Sequence, residues 1–268
     1  MHIKNSGLNE KTQNLSKEIN WLSKKDYASI YTLDYWNNIS EEKKKEWWIE
    51  DGNYKKCLDY LTKNKLFDEY FEAENEIKKL NRKNLKVVDL ASGIGWISAL
   101  LSKLIFIKYV YAIDISEHRI KKLFPHSIKM LNGKPEKIKR FIGSFYKTKF
   151  KKNSMDIIIL SQSFHHAENP FELLSECKRI LKPSGRIILI GEHYIGIKKI
   201  IIRFFSELLK YKKITFDFYN LFKTNKITGD HYYKLSDYKF LFMACNLNVE
   251  IRKSKNGGAL IIAKKVNV

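Results

Sequence analysis

Apolar residues follow two rhythms along this chain, and the change between them divides it. Through residues 26–81 they recur at helical spacing: Tyr35 and Trp36, then Trp47, Trp48 and Ile49, then Cys57, Leu58, Tyr60, Leu61, Leu66, Phe67, Tyr70 and Phe71. That spacing predicts amphipathic helices with unusually aromatic faces, and Ser40 ahead of Glu41 and Glu42 reads as an N-cap with acids in the first turn. From Lys86 onward, short apolar runs alternate with helical patterns. Lys86–Leu90, Tyr109–Ile115, Lys139–Phe145, Asp156–Ser161 and Arg186–His193 read as strands. Between them, Ile94–Leu104, Glu117–Asn132 (interrupted at Pro125) and Phe171–Leu181 read as helices. Such alternation predicts an α/β fold with a parallel sheet covered by helices. A helix over Ile197–Lys210, a helix capped by Ser236 and ending at Cys245, and a hairpin of Leu247–Arg252 with Ala259–Ala263 across Lys255–Gly258 complete the pattern.

With 268 residues, the chain is long enough for one core and one cap but short for two independent domains. The expected division is an arm and helical cap over 1–84 and a catalytic domain over 85–268, with a substrate-specificity segment at about 194–234. Residues 1 to about 25 are polar, unlike a signal peptide, and are expected to form a loosely held arm. Cys57, Cys177 and Cys245 are far apart and lack a C-x-x-C pair, so neither a disulfide framework nor a zinc site is expected. No apolar run reaches the roughly 18 residues of a membrane span, and a cytoplasmic location is the expectation. Ile195–Phe205 is basic and aromatic; a helix packed on the sheet is preferred there over an interfacial one.

Candidate chemistry gathers at Val87-Val88-Asp89-Leu90-Ala91-Ser92-Gly93-Ile94-Gly95-Trp96-Ile97-Ser98, an apolar run, an acid, a glycine turn and a helix start. Gly93 and Gly95 allow a tight turn and close approach of a ligand. A phosphate-binding P-loop would need a Lys-Ser/Thr pair after the glycines, and a dinucleotide fingerprint would need a third glycine where Ser98 stands. What remains is an acid at the strand end, suited to orienting an ammonium group. Asp114 stands 19 residues beyond Gly95 at the end of an apolar strand, close to the spacing at which nucleotide-binding folds place the acid that accepts ribose hydroxyls.

These residues, with S-Q-S-F-H-H-A-E-N-P at 161–170 and L-K-P-S-G-R at 181–186, resemble class I S-adenosylmethionine-dependent methyltransferases of the methyltransferase-11 (UbiE-like) type. The likeness runs from about Lys86 to Lys265. It implies a Rossmann-like, doubly wound, seven-stranded sheet, mostly parallel with an antiparallel last strand, and it implies S-adenosyl-L-methionine as cofactor and S-adenosyl-L-homocysteine as product. Carried over residue by residue, Asp89, Ala91, Ser92, Gly93, Gly95 and Trp96 would surround the methionine end of the cofactor. Asp114 and Ile115 would meet its ribose, Ser144 and Phe145 its adenine, and Ser161 and Gln162 would lie beside its sulfur. Many relatives carry Gly-Asp where this chain has Gly143-Ser144, so the adenine contact falls to the Ser144 hydroxyl or the Phe145 backbone. Tyr35, Trp36, Trp47, Trp48 and Tyr54 become candidates for the lid or acceptor pocket.

Methyl transfer from a sulfonium needs alignment, and a base where the acceptor is a protonated hydroxyl. The titratable side chains expected at the sheet's carboxyl edge are His165, His166, Glu192, His193 and His231. His166 or His193 is the expected base, His231 comes next, and His165 or His166 has a structural role because neighbours in one loop cannot both face one ligand. No metal is expected, since no ligand spacing marks a site.

Formal charge is +21 and lies unevenly: up to residue 84 there are 16 Lys/Arg against 15 Asp/Glu, and beyond it 34 against 14. This field favours an anionic small-molecule acceptor, such as a nucleotide- or phosphate-linked sugar or another precursor of a surface polysaccharide, methylated on oxygen. An RNA methyltransferase using the basic surface and a non-catalytic cofactor-binding subunit are the other readings, with a lipid or quinone acceptor after them. Relatives of this size are monomers or homodimers.

Overall fold

The computed structural model describes residues 15–29, 33–211, 217–253 and 258–266. Eight strands form one sheet: β1 (Ile19–Asn20), β2 (Leu85–Leu90), β3 (Ile107–Asp114), β4 (Ile138–Ile142), β5 (Met155–Ser161), β6 (Leu181–His193), β7 (Leu247–Lys253) and β8 (Gly258–Lys265). Their spatial order is β1-β4-β3-β2-β5-β6-β8-β7. The pairings from β1 to β6 are parallel, and β8 runs antiparallel to both β6 and β7. Seven of these strands were expected. The eighth, β1, belongs to the segment read as a loose arm: Ile19 and Asn20 pair with Phe141 and Ile142, and the Trp21 ring packs 4.2 Å from that of Phe141.

Side-chain alternation along the central strands builds two cores. Val87, Ile157, Ile159 and Ile188 face one layer, where Tyr70, Ile97 and Phe124 cover them; Val88, Ile158, Leu160 and Leu189 face the other, under Phe164, Leu173 and Phe242. The chain winds from β2 through β3 to β4 on one side and through β5 to β6 on the other. The switch between β2 and β5 leaves a crevice beyond the carboxyl ends of the strands, and ligands in such sheets bind there.

Several local expectations are corrected. Asn38, rather than Ser40, caps the helix Ile39–Lys43, its side-chain oxygen accepting from the Ser40 and Glu41 N–H groups. Asp237 closes the start of the helix Leu235–Ala244, its Oδ2 accepting the Lys234 N–H at 2.8 Å, and Ser236 lies inside the helix. Leu181–Gly185 is the irregular start of β6, because Leu181 pairs with Met155 before the register shifts. The helix beyond β3 splits as Pro125 requires: a π-helical turn, Arg119–Leu123, hands over to an α-helix, Phe124–Met130, with proline in its first turn, where no N–H is needed. The helix Ile197–Tyr211 was expected to pack on the sheet, yet much of its apolar surface is exposed. Most of residues 1–25 and the turn at 254–257 lie outside the described residues.

Candidate functional site

A cavity of about 330 Å³ opens at the switch point. Its floor is the glycine turn. Gly93 has φ +55, and a Cβ there would meet only Arg119 Nη1 at 3.9 Å, so ligand-sized space lies against the backbone; Gly95 has φ +81, and a Cβ there would run into the Phe124 ring. Ala91, Ser92, Gly93, Ile94 and Trp96 line this end.

Asp89 lies elsewhere. Period-two alternation turns it to the face covered by the helix Trp96–Ser102, where its Oδ2 accepts the Ser98 hydroxyl at 2.7 Å. Fully buried and off the cavity wall, it has its carboxyl pushed up to about 7 by desolvation. Asp114 does line the cavity, accepting from the Gly93 N–H at 2.7 Å and the Ser116 N–H at 2.8 Å. Burial drives its pKa upward, although Arg119 and the two amides pull against the shift. Ile115, Phe145, Ser161 and Gln162 join the wall, whereas Ser144 does not and instead accepts the Tyr146 N–H. Gln162 sits at φ +49 and accepts the Tyr60 hydroxyl at 3.2 Å.

The far wall comes from the cap and the histidine loop. Tyr35, Trp36 and Trp47 line it; Trp48 is buried against His118, and Tyr54 bonds His126 instead. On the short 3-10 turn Phe164–His166, His165 and His166 both line the cavity with ring centroids 4.2 Å apart, against the expectation that only one of these neighbours would face it. His165 Nδ1 meets Glu192 Oε2 at 2.8 Å, while Glu192 Oε1 accepts the Ser163 and Phe164 N–H groups, both at 2.9 Å. Burial opposes the Glu192 charge, but His165 and those amides overcome it and hold its carboxyl at about 2. Burial likewise opposes protonation of His165, and Glu192 outweighs it, so its pKa is raised. This pair fastens the loop to β6.

His166 Nδ1 lies 2.7 Å from Asp230 Oδ1, and its ring stands edge-on to Trp36 with centroids 4.8 Å apart. Burial lowers the His166 pKa, against the pull of Asp230. Asp230, for its part, stays near 2 because His166 and Thr228 outweigh its burial. His193, also on the wall, is pushed down to about 4 by burial and by neighbouring His165. His231 is off the wall: its backbone N–H donates to the His165 carbonyl and its ring faces Thr224. His165, His166 and Asp230 bring possible ligand atoms within 4.8 Å of one another, a juxtaposition the sequence spacing does not mark. As the side chains stand, each of the two histidines is matched with its own carboxylate.

Three charged residues of the cavity wall were not anticipated. Arg119 donates to Glu42 Oε2 at 3.0 Å and to Oε1 at 2.6 Å while its guanidinium lies 4.7 Å from the Trp36 ring centre. Lys45 donates to the Tyr35 hydroxyl at 2.7 Å and lies over the Tyr35 and Trp47 rings. Asp230 is brought to His166 by a chain excursion. Nothing local marks Arg119 or Asp230, because Glu42 and His166 lie far from them in sequence, whereas Lys45 meets Tyr35 and Trp47 of its own cap.

The cradle fits S-adenosylmethionine. Ser92 Oγ and Ser161 Oγ are buried polar atoms without a hydrogen-bond partner among the described residues, and both residues line the cavity beside the open space at Gly93. Ser92, Gly93, Asp114 and Phe145 are the residues that would hold it.

Residues 88–189 match the family model Methyltransf_11, described as a methyltransferase domain. The chain is 28% identical over 172 residues to the ubiquinone/menaquinone biosynthesis C-methyltransferase UbiE of Wigglesworthia glossinidia brevipalpis, covering 63% of this chain and 62% of that protein. It is 30% identical over 112 residues to an uncharacterized methyltransferase of Schizosaccharomyces pombe, covering 41% and 40% respectively. The chain thus spans less than two thirds of either relative. Among solved structures, a SAM-dependent methyltransferase from Methanosarcina mazei superposes with TM-score 0.50 at 20% identity, covering 71% of this chain and 96% of that one, a likeness of fold.

Proposed function

From the premise that this chain belongs, over residues 88–189, to the Methyltransf_11 family of S-adenosylmethionine-dependent methyltransferases, we propose that it methylates a hydroxyl oxygen of an anionic small molecule. The acceptor class is a phosphate-linked sugar or a related precursor of a surface polysaccharide. When bound, S-adenosylmethionine supplies an electrophilic methyl group on its sulfonium. His166 takes the proton from the acceptor hydroxyl, and Asp230 orients the ring and stabilises its protonated form. Trp36 and Trp47 exclude water from the mouth and offer flat faces to a sugar ring. Lys45 meets the acceptor's negative charge, and Glu192 with His165 keeps the loop in place.

Lys45 is the observation that carries the anionic acceptor. It lines the cavity, its hydrogen bond goes to the Tyr35 hydroxyl, and among the described residues no carboxylate lies within ion-pair distance of it. The test is S-adenosylhomocysteine release across a panel of nucleotide sugars, sugar phosphates and their neutral counterparts. Turnover is expected with anionic members, falling by at least about 100-fold in His166→Gln, with the cofactor-induced rise in melting temperature retained. Lys45→Gln is expected to raise KM with kcat kept. Turnover confined to neutral or nucleic-acid acceptors would overturn the reading.

A further inference from the structure

The helix Ile197–Tyr211 presents solvent with an apolar stripe that the described residues leave uncovered. Ile197 is 70% exposed, Ile201 49%, Ile202 69%, Phe205 53% and Leu209 83%. At about 100° per residue, Ile197, Ile201, Phe205 and Leu209 follow one row four residues apart and Ile202 lies beside them in the adjoining one, so the five share one side. Ile200, Phe204 and Leu208, half-buried, form the inner side, and the short helix Phe218–Leu221 packs against this one.

Charge separates the possible occupants of that stripe. Lys199, Arg203 and Lys210 run along one edge, Lys198 stands among the first apolar residues, and Glu207 is the helix's one acid, 3.1 Å from Arg203. A second copy docked face to face would bring these cations onto their own counterparts. A surface of phosphates over hydrocarbon matches both features, with long lysine stems letting the ammonium groups rise to the phosphates while the apolar residues sink. The helix holds 15 residues, and no helix among the described residues is long and apolar enough to cross a membrane, so it can lie only along one.

We propose that Ile197–Tyr211 is an in-plane anchor that docks the protein on an anionic phospholipid surface. The excursion carrying it leaves the cavity wall at His193 and returns to it at Thr228 and Asp230, so docking sets the bearing of the cavity mouth on the membrane. The inference stands on this helix and not on the acceptor proposed above.

Flotation of the full chain with vesicles tests it. The protein is expected to float with vesicles of equal parts phosphatidylcholine and phosphatidylglycerol, to stay behind with phosphatidylcholine alone, and to be released as salt rises. The double variant Ile202→Gln, Leu209→Gln, both at exposed positions, is expected to weaken binding at least about tenfold. Lys198→Gln is expected to weaken it about fivefold. Circular dichroism and the melting temperature serve as fold checks. Absence of binding to anionic vesicles at low salt, or unchanged binding by the double variant, would overturn the proposal. So would a concentration-dependent dimer in sedimentation that this variant dissolves, which would assign the stripe to a second copy. Methyl transfer to water-soluble acceptors is read separately, so either idea can fail without the other.

Discussion

Arg119 grips Glu42 through two hydrogen bonds, of 3.0 and 2.6 Å, with both side chains nearly inaccessible to solvent and Asp114 close enough to feel the same cation. This ties the cap to the acid at the end of β3 through a single buried guanidinium. Breaking such a pair from one side leaves a largely buried guanidinium without its hydrogen-bonded counter-charge, with Asp114 as the remaining acid near it. Glu42→Gln is therefore expected to cost about 3 kcal/mol of unfolding free energy, measured by urea titration. The double variant Glu42→Gln, Arg119→Met is expected to recover part of that loss, because the stranded cation is then gone.

Acid should loosen the site before it unfolds the sheet. Burial and neighbouring His165 hold the His193 pKa at about 4, against 6.5 for an ordinary histidine. A depressed histidine pKa means that the unfolded chain takes up a proton that the folded one refuses, so stability falls as pH drops from 6.5 toward 4. At pH 5 this amounts to about 2 kcal/mol. His165, whose pKa is raised, works in the opposite sense: its stabilisation is complete below 6.5 and lost as pH rises through its folded value. His193→Gln is expected to flatten the fall in stability between pH 7 and pH 5, measured by denaturant midpoints at constant ionic strength.

Asp230 acts through His166, and a pH profile can separate that role from simple support of the loop. Asp230→Asn removes the charge that favours protonated His166, so the His166 pKa should drop further and the acid limb of the rate profile should move to lower pH. The plateau rate is expected to fall about 100-fold. Because each carboxylate is already matched with a histidine, dialysis against EDTA is expected to leave the rate unchanged. A loss restored by a divalent ion would instead make His165, His166 and Asp230 ligands.

The scaffold was legible in the residues because its signals are local. The apolar run at 157–160 and the run at 87–90, broken only by Asp89, mark buried parallel strands, and the glycine turn follows the second of these directly. Pro125 marked the break where the π-helical turn gives way to the α-helix. Legibility failed where a side chain's role depends on what the fold sets beside it. Asp89 reads as a ligand contact until alternation along β2 turns it under Ser98. Lys45 and Arg119 look like ordinary members of charged helices until the fold brings both to the cavity, with Glu42 behind Arg119. At 197–211, amphipathic spacing shows that an apolar face exists without showing what covers it, so it does not separate a packed helix from an interfacial one.

The short pairing of Ile19 and Asn20 with β4 also bears on how copies of this protein can meet. A strand at the rim of a sheet offers unpaired N–H and C=O groups to any passing chain. Here the β4 rim is partly closed by two residues of the protein's own chain, and Trp21 is wedged beside Phe141 and Phe150. Among the described residues the longer rim left open is β7, at the opposite end of the sheet, bearing Glu250 and Arg252. Strand-to-strand association through that rim would be self-limiting: two sheets could join there end to end, and the shielded far ends would give a third copy little to add to.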